Sequence, residues 1–160
     1  MFLNVLTAIH VALSLGGICA GVVLAHGLVT SRPPYRGTMS FLATTAATSA
    51  TGFVFPFRGV SPAQIVGVLS LILLAVASLS VYRHRLAGGW RKTFGITALI
   101  AFYLNAFVLV IQVFQKVPAL KAVAPTQSEL PFKVTQFIVL VLFVVLGIGA
   151  TRKTRVIAAG

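Results

Sequence analysis

Acidic residues are almost missing from this chain: it has no aspartate, and Glu129 is the single carboxylate side chain among 160 residues. That absence removes paired-carboxylate catalysis and carboxylate-rich metal sites from what the chain can do by itself. Cysteine is nearly as scarce. Cys19 stands alone, so neither a disulfide framework nor a two-cysteine metal site can form within one chain. Charged residues make up only 9%, against roughly 25% in a soluble domain. No HExxH motif and no nucleophile elbow is present. Hydrolytic chemistry has little to work with, and a non-enzymatic role is the expectation.

What fills the chain is apolar. Hydrophobic residues reach 58% and gather into five stretches at about 2–30, 38–57, 63–82, 93–115 and 133–151. A helix needs about 20 mostly apolar residues to cross a bilayer, so the pattern predicts one all-α integral membrane domain over 1–160, a bundle of five transmembrane helices. Turn-forming residues separate the stretches: Pro33 and Pro34, then Pro56, Gly59 and Pro62, then Gly88 and Gly89, then Pro118, Pro125 and Pro131. The second stretch is short and rich in Thr and Ser. Its loss as a span would leave four helices and a re-entrant segment. The N-terminus lacks the basic n-region of a secretory signal, and its apolar run is too long for a cleaved one, so the first stretch is expected to remain in the protein.

Thirteen Lys and Arg residues oppose the one acid, a net charge of +12. They occupy the loops between apolar runs rather than one folded face, which argues against nucleic acid. Nine of them (Arg32, Arg36, Arg83, Arg85, Arg91, Lys92, Arg152, Lys153 and Arg155) fall on one side of a five-span bundle, and Arg58, Lys116, Lys121 and Lys133 fall on the other. Basic residues accumulate on the cytoplasmic side. The N-terminus should therefore face out and the C-terminus in.

Polar residues inside such helices need partners. On the first helix His10, Gly17 and Gly21 share one stripe, and the GxxxG spacing of the two glycines marks a helix-packing face. The second helix carries Thr44, Thr48 and Thr51 on one face, with Thr45, Ser49 and Gly52 beside it; such hydroxyls commonly bond their own backbone four residues back. Asn105 and Gln112 are two helical turns apart on the fourth helix, about 10 Å along its axis, and Gln136 lies one turn inside the outer end of the fifth. At the expected orientation His10, Thr48, Thr51, Asn105, Gln112 and Gln136 lie at the midplane or in the outer half. They are the candidate ligand-binding cluster, and a structural hydrogen-bond network is the competing reading. His26 and His84 lie near the inner surface. They read most simply as interfacial, with a haem b held between them as the alternative, its propionates meeting Arg83 and Arg85. Glu129, in the polar outer loop, is expected to pin that loop through Lys116, Lys121, Lys133 or Arg58.

The runs ATSATGFVFPF at 47–57 and YLNAFVLVIQVFQKVPAL at 103–120, with APTQS at 124–128, resemble a group of small, uncharacterised bacterial multi-pass inner-membrane proteins. That resemblance implies a bacterial inner membrane and carries no activity, cofactor or site residues. Three functions stay open. The first is a non-enzymatic protein that holds a lipid-soluble ligand or serves as an accessory subunit, in contact with lipid, other membrane subunits or its own copies. The second is a redox protein binding quinone through His10, Asn105 or Gln112, or haem. The third is a small transporter or channel, for which His10 is the one ionisable residue deep in a span.

Overall fold

Long apolar runs with few interior breakers leave each backbone amide one way to be satisfied in lipid, which is helix. The computed structural model of the chain describes residues 2–30, 35–55 and 62–159. Arg32, Pro33, Pro34, Pro56, Arg58 and Gly59 lie outside the described residues, as do the side chains of Lys153 and Arg155. The described regular structure is entirely helical: α1 (Phe2–Thr30), α2 (Thr38–Gly52), α3 (Pro62–Tyr82), α4 (Trp90–Lys116), α5 (Pro118–Val123) and α6 (Leu130–Ala159).

Four of these, α1, α3, α4 and α6, are long and apolar enough to cross a membrane. The fifth expected span is shorter than the apolar run suggests. Helix α2 has 15 residues and gives way at Phe53 and Val54 to a turn. At 1.5 Å per residue it measures about 22 Å, less than the roughly 30 Å of a hydrocarbon core. The apolar residues Phe53, Val54 and Phe55 extend the stretch in sequence but form a turn and bend rather than helix. Conversely, α6 continues past the apolar stretch into the basic tail. Pro118, expected only to break a helix, also begins one: it opens α5 at the first-turn position where proline's missing N–H costs nothing.

Helix α4 is the hub, packing against α1, α3, α5 and α6. Its register with α1 is antiparallel, with Leu28 beside Gly95, Gly21 beside Phe102 and Gly17 beside Asn105. Helix α2 runs antiparallel to α1, from Gly37 against Ala20 and Leu24 to Gly52 against His10. Helix α3 returns beside α2, joined by Phe53 on Gly67 at one end and by the Tyr82 hydroxyl donating to Met39 Sδ at the other. Helix α6 runs down α4 through Phe132 on Phe114, Gln136 on Phe107 and Phe143 on Phe102.

The core converges on Phe102, which is 6% exposed. Its ring meets Phe41 of α2 edge-on at 6.0 Å and Phe143 of α6 at 4.9 Å, and it fills the space left by Gly21 of α1. Three helices thus touch one side chain of a fourth. Such contact matters in lipid, where dispersion and close backbone approach hold helices together in place of a hydrophobic effect. Gly37 has a different role. Its φ of 76° is left-handed, and a Cβ there would lie 3.0 Å from the Ala20 carbonyl, so the turn into α2 needs glycine twice over.

Candidate functional site: a paired polar seam

The GxxxG stripe of α1 faces both α2 and α4, and the polar groups opposite it are paired across helices. A Cβ at Gly17 would meet Asn105 Nδ2 and Thr45 Oγ1 at 3.4 Å each, so the glycine makes room for that pair. Asn105 Nδ2 donates to Thr45 Oγ1 at 3.1 Å, and Thr45 is fully buried. About two turns toward the opposite end of the bundle from Tyr35, His10 Nδ1 and Thr51 Oγ1 are 2.9 Å apart. The imidazole edge also packs on Phe55, with ring centroids at 5.4 Å. Thr51 bonds the carbonyls of Ala47 and Thr48, and Ser14 bonds the carbonyl of His10.

Of the six residues the sequence marks as a cluster, His10 and Thr51 meet directly. Thr48 lies between the two pairs, its hydroxyl oxygen buried without a hydrogen-bond partner. Asn105 bonds Thr45, a residue the sequence places only beside the cluster. Gln136 donates to the Phe107 carbonyl at 3.2 Å, which joins α6 to α4, while its Oε1 is buried and unpartnered. Gln112 is exposed and takes no part in the seam. The result is a ladder along α2 with contributions from α1 and α4, and a separate rung between α4 and α6.

Glu129 does not reach a lysine or arginine among the described residues. Its carboxylate accepts from the Thr126 hydroxyl at 2.8 Å, from the Thr126 N–H at 3.2 Å and from the Ser128 N–H at 3.0 Å. Desolvation pushes its pKa up, but these hydrogen bonds outweigh it and hold the carboxyl below its ordinary value. The loop is tied to the bundle by Gln127, whose amide donates to the Ile111 carbonyl at 3.2 Å from a left-handed backbone position, φ 61°. Nothing in the sequence singles out Gln127 from its neighbours, because the tie depends on where the loop folds back.

His26 is exposed on α1, its Nδ1 3.4 Å from the Thr30 hydroxyl. His84 lies flat on Trp90, with centroids 3.7 Å apart and planes within 3°. His26 is thus on α1, whereas His84 belongs to the turn between α3 and α4, where its ring is taken up by Trp90. Among the described residues, no three of His, Cys, Asp and Glu gather closely enough to hold a metal ion. Two open grooves mark the surface. One of about 340 Å³ runs between α4 and α6, lined by Leu99, Tyr103, Phe143 and Ile148, and the other follows α1 along Asn4, Ala8, Val11 and Leu15. Neither contains the polar seam.

The chain matches no family model, and no curated protein or solved structure is similar to it.

Proposed function

We propose that this is a bacterial inner-membrane protein crossing the bilayer five times, N-terminus out and C-terminus in, that serves without catalysis as an accessory subunit of a membrane complex. The observation that carries the reading is the pairing of polar groups with one another. His10 is engaged by Thr51, Asn105 by Thr45, and Gln136 by the α4 backbone. Groups so engaged hold helices in register and leave the outer surface of the bundle to do the work. That surface is apolar and broad on α6, where Phe137, Ile138 and Val145 are each at least 60% exposed. The orientation is supported by Arg36, Arg83, Arg85, Arg91, Lys92 and Arg152 gathering at one end while Lys116, Lys121 and Lys133 lie at the other.

A photo-crosslinking residue at Phe137 or Val145, activated in native membranes, tests the reading. A discrete protein adduct is expected at both positions. Adducts to lipid alone, with monomeric migration on native gels, would end it.

The orphaned Thr48 hydroxyl and Gln136 Oε1 favour a second reading, a lipid-soluble ligand such as a quinone entering beside the seam. Haem is less well served, since neither His26 nor His84 presents a buried, unpartnered ring nitrogen. An absorption spectrum and mass analysis of lipid extracts from protein purified out of its native membrane separate these cases. A stoichiometric quinone, or a Soret band, would move the assignment to the redox class.

A further inference from the structure

The basic end of the bundle poses a problem that the protein does not solve within itself. Its one acid side chain lies at the other end and is engaged in its own turn, and among the described residues no ion pair forms. Arg91 is the sharpest case. It is half-buried at the start of α4, and its Nε is buried without a hydrogen-bond partner. An arginine stays charged at any relevant pH, so a buried guanidinium nitrogen left unpaired is costly and calls for an anion.

Its neighbours are arranged for one. Tyr35, 6% exposed, stacks on Phe94 at 5.9 Å, one helical turn along α4 from Arg91. The turn from α3 to α4 is wound tightly, with Arg85, Leu86 and Gly88 all left-handed and the Leu86 N–H returning to the Ser80 carbonyl at 2.9 Å. Leu86 is thereby buried, while Arg83 and Arg85 stay exposed beside the stacked pair of His84 and Trp90. Helix α3 ends at Tyr82 and α4 begins at Trp90, so this turn emerges where two apolar helices leave hydrocarbon. Indoles settle at that depth, and clustered Lys and Arg there meet lipid phosphates.

We propose that the α3–α4 turn, with Arg91 and Tyr35 at its base, is a headgroup site for an anionic phospholipid of the leaflet it faces. The lipid phosphodiester takes the place beside the outer Nη atoms of the Arg91 guanidinium, whose planar fork suits phosphate oxygens, while Nε itself stays covered by protein. Arg83 and Arg85 add the charge that favours a net-negative headgroup over a zwitterionic one. The acyl chains continue along apolar helix surface, which a soluble phosphate could not use.

The test uses the full chain in nanodiscs of phosphatidylcholine mixed equally with phosphatidylglycerol, with retained lipids counted by native mass spectrometry. Wild type is expected to retain phosphatidylglycerol at least tenfold over phosphatidylcholine. Arg91→Gln should remove that preference, and Lys121→Gln, at the opposite end, should keep it. Equal retention of both lipids by wild type, or an undiminished preference in Arg91→Gln, overturns the proposal. Should Arg91→Gln fail to fold, the exposed pair Arg83→Gln and Arg85→Gln is read in its place: a preference reduced severalfold supports the site and an unchanged one overturns it. Displacement of the lipid by millimolar inorganic phosphate or glycerol phosphate would mark a soluble-phosphate site, and would also overturn the lipid assignment.

Discussion

A single missing methyl group sets the spacing of this bundle. At Gly21 an added Cβ would run into the ring of Phe102, and that ring is held between Phe41 and Phe143 with nowhere to retreat. Gly21→Ala should therefore destabilise the protein by about 1–3 kcal/mol, the usual cost of forcing extra atoms into a packed core. Pairing it with Phe102→Leu should recover part of that loss. A double-mutant cycle by denaturant titration in mixed micelles checks it, and additive costs would refute the steric account. Asn105 presents the opposite case, a contact made rather than avoided. Asn105→Leu removes one interhelical hydrogen bond, worth about 0.6 and at most about 1.7 kcal/mol in membrane proteins. The expected loss in the same titration stays within that range. The fully buried Thr45 hydroxyl can turn to its own helix backbone, as Thr44 and Thr51 already do. A much larger loss would mean that Asn105 supports more than its bond to Thr45.

At the scale of elements, the turn leading into α6 depends on charge. The Glu129 carboxylate gathers the Thr126 hydroxyl and two backbone N–H groups, which keeps its pKa below the ordinary value. A carboxyl with a lowered folded pKa lends its stability fully above the unfolded value of about 4.3 and loses it as pH falls through the folded pKa. Amide exchange at Thr126 and Ser128, corrected for intrinsic rates, should accordingly show protection at neutral pH that fades only in strong acid. Glu129→Ala should lose it at neutral pH, and unchanged protection in that variant would refute the role. The charge pattern of the sequence predicts a pin to Lys or Arg, whereas Gln127 ties the loop to α4. Local hydrogen bonds in a four-residue turn cost less chain entropy than bringing a flexible lysine to the same carboxylate.

For the whole molecule, the question is how often the chain crosses the bilayer. Helix α2 is short, yet it runs antiparallel to α1 from the level of Leu24 to that of His10, and α3 returns beside it. Five crossings put the termini on opposite sides, and four with a re-entrant α2 put them on the same side. A green fluorescent protein fused at the C-terminus should fluoresce, and alkaline phosphatase fused at the N-terminus should be active. Both reporters reading out on one side would establish the four-span arrangement.

Composition and periodicity alone determined that this chain is helical, that its long helices suit a bilayer and that its basic residues divide unevenly between two ends. These properties depend on residue counts and on the 3.6-residue repeat, which one strand of sequence carries in full. The Gly17 and Gly21 face was legible for the same reason, since small residues at that spacing permit only a few kinds of packing. Tertiary structure decided which hydroxyl meets Asn105, that Gln112 stays outside the seam, and that Arg91 lies half-buried one turn before the Phe94 on which Tyr35 stacks. Each of those depends on how one helix is rotated and shifted against another, and that is settled by the joint packing of Phe41, Phe102 and Phe143 rather than by any single helix.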